Sequence, residues 1–317
     1  MKERILFVDN LRALLILIVV LGHCLQYTGC NVSDNVLYNF IQSFQMPLFM
    51  FVSGFVSFKD CYSLGWLKRR CKRLLIPFIA GTFIMGLTFR EGSLWEYFVY
   101  PLKGLWFLWV LAMLSLLQYL TSLLYSKLCN TRGVYLVCML VIFAITSVCS
   151  LFFKSILCFD LIAFHFIFYF TGYYFNRFWT NIKQVPSFLV VLLFVLSAFL
   201  SLTFNKDVPS YFIVKNFSIY VRTVSFIITI SFFMMSYICI DKQVNLLKYI
   251  GANTLGIYVI HRVLFEFRPI ALESSIIASN YYSMCVFVLF LIMTVISIIL
   301  VKMFARDKIL SYMFLGK

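Results

Sequence analysis

The residues best suited to chemistry are the three histidines, each of which lies in a run of apolar residues. His23 follows Arg12 by eleven positions, about three helical turns, so both side chains share nearly one helix face, about 16 Å apart along the axis. A neutral imidazole accepts protons near neutral pH, and an ionisable residue in an apolar span is a functional candidate by default. The alternative is structural, with Arg12 an interfacial anchor paired with Asp9 and His23 a packed residue.

A second candidate histidine lies late in the chain, in residues 251–262. Tyr258 and His261 are one helical turn apart on the same face. Glu266 follows His261 by five positions, which turns the two side chains to different faces, so they are not predicted to form a dyad. His165 lacks a supporting pattern and is interpreted as a hydrogen-bonded core residue.

Five cations occur within six residues: Lys68, Arg69, Arg70, Lys72 and Arg73. Arg70 and Arg73 share a helix face, and guanidinium groups bind phosphates through paired hydrogen bonds. The cluster is therefore a candidate phosphate site. The alternative is a belt that contacts lipid headgroups and fixes the orientation in the membrane.

A proline and two small residues distinguish the segment 45–55. Pro47 removes a hydrogen bond from a helix, while Ser53 and Gly54 allow a neighbouring helix or a ligand to come close. Taken alone, this pattern is more often helix packing than a binding site.

Membrane helices must position these residues, because the composition excludes an ordinary soluble protein. Hydrophobic residues make up 63% of the 317 and charged residues 12%, against roughly 45–50% and 25% in soluble domains. The net charge of +15 is interpreted as an orientation signal and an attraction to anionic lipid, not as nucleic-acid binding. The ten cysteines are scattered without a Cys-x-x-Cys pair, so neither a disulfide framework nor a metal site is predicted.

The apolar runs predict about ten transmembrane helices. These are residues 10–28, 37–57, 74–90, 104–125, 134–153, 156–177, 186–204, 217–239, 252–267 and 281–303. With the N-terminus in the cytoplasm, 18 basic residues fall in inner connections and 6 in outer ones, which favours two cytoplasmic termini. Ten spans of about 20 residues leave no room for a second domain. We therefore predict one all-α integral-membrane bundle over residues 1–317.

Six motifs, in this order, resemble the acyltransferase 3 family of integral-membrane O-acyltransferases. They are Arg12-x10-His23, Met46-Pro-Leu-Phe-Met-Phe-Val-Ser53-Gly54-Phe, Arg70-x-x-Arg73 with Leu-Leu-Ile-Pro77 behind it, Leu105-Trp106-Phe107-Leu108-Trp109, Phe170-Thr-Gly172-Tyr and Asn253-Thr-Leu-Gly256-Ile-Tyr258-x-x-His261. The resemblance runs through nearly the whole chain. The family modifies bacterial surface polysaccharides, O-antigens and nodulation factors, and the last motif is typical of members resembling fucose 4-O-acetylases.

The resemblance implies a ten-helix enzyme of the bacterial inner membrane that moves an acyl group, usually acetyl, from cytoplasmic acyl-CoA to a hydroxyl of a surface or lipid-linked saccharide. It assigns catalysis to His23, as a base or as a transient acyl carrier, with Arg12 as its companion. It places CoA near Arg70 and Arg73, with Arg69 beside them. The residues expected to support the site are Tyr258, His261, Ser53, Gly54 and Trp106. Acyl-CoA is the co-substrate, and no metal is implied.

A secondary transporter or an exporter of lipid-linked glycans is the main alternative, with intramembrane arginines and histidines along a substrate or proton path. Transporters commonly carry inverted repeats and paired broken helices, whereas this sequence shows no repeat and one clear break, at Pro47. A purely structural subunit is a third possibility, but intramembrane charges such as Arg222 and Arg262 would be costly in it. The sequence therefore favours an acyltransferase.

Overall fold

The computed structural model describes residues 6–28, 35–59, 62–87, 93–128, 132–153, 155–202, 214–240, 244–267 and 281–317, with only the backbone at 132 and 214–219. The described chain is helical and contains no strand, so the predicted all-α class is confirmed. Several basic residues of the predicted outer connections lie outside the described residues: Arg90, Lys154, Lys206 and Arg268.

The described residues form fourteen α-helices, numbered here in chain order. They are α1 (Leu6–Thr28), α2 (Val36–Ser57), α3 (Leu64–Leu87), α4 (Leu94–Val99), α5 (Trp106–Lys127), α6 (Arg132–Phe153), α7 (Phe159–Arg177), α8 (Trp179–Ile182), α9 (Ser187–Leu202), α10 (Val214–Cys239), α11 (Asn245–Ala252), α12 (Thr254–Glu266), α13 (Tyr282–Phe304) and α14 (Lys308–Leu310). Short 3-10 turns occupy Pro101–Lys103 and Ile156–Cys158, and a π turn occupies Ser311–Leu315.

Seven of the described helices are long and apolar enough to cross a membrane. They are α1, α2, α5, α6, α7 with the 3-10 turn before it, α10 and α13. The chain is thus a multi-pass membrane protein, while the count of ten spans and the cytoplasmic termini stay predictions. Residues 74–87 of the predicted third span, 74–90, form the later part of α3, which begins at Leu64 and carries the five-cation cluster. Residues 88–90 lie outside the described residues.

Helix α2 is the central helix, and glycine brings it close to α7. A Cβ atom at Gly54 would overlap the carbonyl oxygen of Tyr169, and one at Gly172 would overlap the carbonyl oxygen of Phe51. Small residues let two backbones approach in this way. Gly54 therefore has a packing role here. Pro47 lies inside α2 without ending it.

The outer helices have the surface expected of helices in lipid. Large apolar side chains on α6, α9 and α13 are exposed, including Phe152 (78%) and Phe199 (72%). Such faces are unstable in water but suit a hydrocarbon environment. Several polar side chains are instead buried inside the bundle, and two of them, Asp9 and Ser53, line a cavity.

Candidate functional site

A cavity of about 1020 Å³ lies among α1, α2, α3, α5, α7, α11 and α12. Its lining follows α1 from Val8 to Val19, which are eleven positions or about 16 Å apart along the helix axis. The volume is in the upper range of small-molecule and cofactor sites. The lining is charged where α1 begins and becomes apolar further along, at Val19, Phe49 and Phe107.

The charged end of the cavity is strongly positive. Its cations are Arg12, Lys59, Arg69, Arg70 and Arg73. Asp9 is the acidic residue of the lining, so five positive charges against one negative leave +4. Concentrated positive charge in a cleft with apolar walls attracts anions. The arginines of the predicted phosphate site, Arg69, Arg70 and Arg73, thus line the same space as Arg12.

Arg70 is held in place by its neighbours. Its Nε donates to Ser115 Oγ at 2.9 Å, and Ser115 Oγ donates to the carbonyl oxygen of Leu111 at 2.7 Å. The guanidinium carbon lies 6.0 Å from the ring centre of Trp66. This arrangement uses one N–H donor of the guanidinium group and leaves its forked end for a ligand.

The segment after α14 packs against the cationic cluster. Gly316 adopts a φ of +63°, and a Cβ there would overlap the carbonyl oxygen of Arg73. Lys317 Nζ donates to Asn253 Oδ1 at 2.6 Å. Burial, and then the charge of Arg73, lower the pKa of Lys317. Lys317 therefore lies close enough to Arg73 for their like charges to repel each other.

A buried polar network next to the cationic end was missed by the sequence analysis. Gln118 Nε2 donates to the Tyr62 hydroxyl at 2.7 Å, and Gln118 Oε1 accepts from the hydroxyls of Tyr169 at 2.6 Å and Ser57 at 3.0 Å. Tyr62 in turn accepts from the Lys59 backbone N–H at 3.1 Å. The network ties α2, α5 and α7 to the connection that carries Lys59. An amide in the apolar run of α5 was the available signal.

Two histidines lie just beyond the apolar end of the cavity. The ring centres of His23 and His261 are 5.4 Å apart. Each follows a cavity residue by about one turn, His23 after Val19 and His261 after Tyr258. The ring centres of Tyr258 and His261 are 5.7 Å apart. The predicted shared face of Arg12 and His23 thus places Arg12 in the cavity lining and His23 deeper in the bundle.

Hydrogen bonds orient both imidazole rings. His261 is fully buried, and its Nδ1 lies 2.8 Å from the carbonyl oxygen of Ile257. A carbonyl only accepts, so Nδ1 carries the hydrogen and Nε2 the lone pair. Among the described residues, Nε2 has no hydrogen-bond partner. Half-buried His23 has its Nδ1 3.0 Å from Gln26 Oε1, which favours the same tautomer.

A buried ion pair stabilises the end of α12 beside the histidines. Arg262 Nη1 donates to Glu266 Oε1 at 2.7 Å, and Nη2 donates to the carbonyl oxygen of Lys103 at 2.9 Å. The guanidinium carbon also lies 5.5 Å from the ring centre of Tyr27. Glu266 thus pairs with Arg262 rather than His261. The contacts join α12 to α1 and to the turn before α5.

The remaining predicted residues are divided between the cavity and the core. Ser53 is buried and lines the cavity, whereas Gly54 packs on α7. The Trp106 ring stacks on His165, with ring centres 5.5 Å apart and planes at 19°, and neither lines the cavity. Within the described ranges, no group of three His, Cys, Asp or Glu residues has the arrangement to hold a metal ion.

Comparison with protein families gives one match. A family model described as an acyltransferase domain matches residues 5–303, nearly the whole chain. The matched range includes the cation cluster, the histidine pair and the helices around the cavity. The resemblance predicted from the sequence is therefore confirmed. Comparisons with curated proteins and with solved structures gave no match.

Proposed function

Because the chain belongs to the acyltransferase 3 family, we propose that this membrane acyltransferase moves an acyl group, in the simplest case acetyl, from acyl-CoA to a hydroxyl of a surface or lipid-linked saccharide. The proposed location is the bacterial inner membrane, with both termini and the cationic end of the cavity on the cytoplasmic side. One observation carries the proposal: a single cavity extends from the cationic cluster to Tyr258, whose ring centre lies 5.7 Å from that of His261, and His261 in turn lies 5.4 Å from His23.

The cationic end of the cavity suits the phosphates of the donor. Arg69, Arg70 and Arg73 point into the same space as Lys59 and Arg12, and guanidinium groups bind phosphate oxygens in pairs. The cavity extends for about 16 Å along α1 and ends at apolar side chains. A donor bound there by its phosphates would lay its uncharged arm along the apolar wall and present its thioester next to Tyr258.

The chemistry requires a proton acceptor at that point. A saccharide hydroxyl is too weak an acid to ionise near neutral pH, so its proton must be removed as its oxygen attacks the thioester carbon. Neutral imidazole suits this task. We assign the central role to His23, which either removes that proton or carries the acyl group on its ring. Both routes convert thioester and alcohol to ester and thiol.

Mass spectrometry of envelope saccharides tests the function in cells. Cells that express the chain are compared with cells from which its gene is deleted, and with deleted cells complemented by the wild type or by His23→Ala. We expect acyl-mass increments on one saccharide with the wild type and their loss in the deletion and the variant. Identical saccharide masses in all four strains would contradict the proposal, and the size of the increment identifies the acyl group.

A further inference from the structure

The buried imidazole of His261 has a lone pair that the described part of the protein does not use. Its Nδ1 hydrogen is donated to Ile257, its exposed fraction is 0%, and Nε2 has no hydrogen-bond partner among the described residues. Buried polar atoms are nearly always hydrogen-bonded, and an exception requires an explanation.

The position of His261 links it to the reaction. Its ring centre lies 5.4 Å from that of His23 and 5.7 Å from that of Tyr258, which lines the cavity. Phe265 packs against both histidine rings, with centres 6.1 Å from His23 and 6.3 Å from His261. Two oriented imidazoles therefore lie side by side in an aromatic enclosure behind the donor cavity.

One imidazole cannot perform both tasks of the transfer. If Nε2 of His23 carries the acyl group, electron withdrawal by that group leaves the other ring nitrogen a poor base, so another base must take the proton of the attacking hydroxyl. We propose that His23 is the acyl carrier and that His261 is the second catalytic histidine, whose Nε2 takes the proton of the acceptor hydroxyl. The assignment rests on the acyl-transfer function proposed above.

The two steps balance without any further reactant. First, Nε2 of His23 attacks the thioester carbon, the C–N bond forms, and the C–S bond breaks with its electron pair on sulfur. His23 loses its Nδ1 hydrogen and sulfur gains one, so CoA leaves as the thiol. Second, the acceptor oxygen attacks the acyl carbon, and the C–N electron pair returns to His23. The hydroxyl proton moves to Nε2 of His261 and from there restores the hydrogen of His23.

Substitution of His261 by asparagine distinguishes the structural role of Nδ1 from the proposed catalytic role of Nε2. The amide N–H of His261→Asn can replace the Nδ1 donor to Ile257, but no atom replaces Nε2. The protein in proteoliposomes is mixed with labelled acetyl-CoA, and rapid quenching follows free CoA and protein-bound label. Turnover is then measured with an envelope saccharide extract from cells lacking the gene. His23→Asn and His165→Asn are the matched variants, since they make the same change at the other two histidines.

The proposal predicts a different result for each variant. His261→Asn should release up to one CoA per protein, hold the label on His23 in the mass spectrum, and lose at least about a hundredfold in turnover. His23→Asn should show neither release nor turnover, and His165→Asn should keep both. Wild-type turnover in His261→Asn, or loss of its CoA release while the protein remains folded, would overturn the proposal. If the wild type releases CoA only when the saccharide extract is present, His23 is not an acyl carrier and the proposal is overturned. If the wild type shows neither CoA release nor turnover, the acyl-transfer function fails instead.

The tautomer provides a test that is independent of activity. The chain has three histidines, so protein labelled with ¹⁵N-histidine gives three pairs of ring-nitrogen signals, which the three asparagine variants assign. The proposal predicts a neutral His261 ring with its hydrogen on Nδ1 and a bare Nε2. A ring with its hydrogen on Nε2 would rule His261 out as the base, even if His261→Asn does not fold.

Discussion

At the scale of single residues, the direction in which each cation points separates a binding role from an orientation role. Arg70 and Arg73 line the cavity, whereas Lys68 and Lys72, in the same stretch of α3, do not. The sequence predicts the cluster and the i, i+3 face, but it does not show that Lys59 and Arg12 complete the same positive surface. That requires the start of α1 and the end of α2 to meet the start of α3.

The first prediction compares two double substitutions, each of which removes two positive charges from α3. Arg70→Ala with Arg73→Ala should raise the dissociation constant of CoA at least about tenfold, because each charge-assisted hydrogen bond contributes about 1.5–3 kcal/mol. Lys68→Ala with Lys72→Ala removes the same amount of charge and should raise the dissociation constant of CoA much less. Isothermal titration of both double variants measures this. Equal weakening in the two would reduce the cluster to a general electrostatic effect.

The second prediction concerns the buried pair of Arg262 and Glu266, whose side chains are 10% and 7% exposed. Glu266→Gln leaves a buried guanidinium charge without its counter-ion, which should destabilise the protein by about 3–5 kcal/mol. Arg262→Met combined with Glu266→Leu removes both charges and should restore part of this loss. Thermal unfolding in detergent measures the three variants. A double variant no more stable than Glu266→Gln would contradict this account.

At the scale of elements, the sequence predicts helices better than it predicts their contacts. The apolar runs predict α1, α2, α5 and α6 to within a few residues. They do not predict that α3 begins at Leu64, because its first turns carry the cations that line the cavity and are not apolar. The sequence predicts a helix break at Pro47, yet α2 continues through it. The helical structure is instead interrupted at Asn253, between α11 and α12. The Gln118 network depends on three helices, so the single amide in the apolar run of α5 does not reveal its partners.

The third prediction tests the close contact of α2 and α7. Gly54→Ala should destabilise the protein by about 1–3 kcal/mol, because the added methyl group overlaps the backbone of Tyr169. Gly133→Ala on α6 is the matched control, since no atom lies within 4 Å of the added group. There, alanine should be neutral or stabilising by up to about 1 kcal/mol. Similar melting temperatures for both variants would show that the contact is looser than described.

At the scale of the whole molecule, two groups of cations lie at opposite ends of the helix bundle. The cations of the cavity lie where α1 and α3 begin and α2 ends, while Lys103 lies at the other end beside Arg262. The basic-residue asymmetry predicts that the cavity end faces the cytoplasm, where CoA is available. Helix packing alone does not distinguish the two sides of a membrane, so this assignment stays a prediction.

The fourth prediction fixes that orientation with reporter fusions. A fluorescent protein attached after Lys317 should fold and fluoresce, and alkaline phosphatase at the same position should be inactive, because both would lie in the cytoplasm. Fusions after Lys103 should give the opposite pattern. Phosphatase activity after Lys317 together with fluorescence after Lys103 would invert the bundle and place the cationic cavity on the side without CoA.

The central claim is that this family member transfers an acyl group from CoA through His23. The most direct measurement is transfer of label from acetyl-CoA to an envelope saccharide by the purified protein in proteoliposomes, for the wild type, His23→Ala and His165→Ala. The account predicts transfer by the wild type and by His165→Ala, and a loss of at least about a hundredfold in His23→Ala. Transfer by folded His23→Ala at the wild-type rate would contradict it.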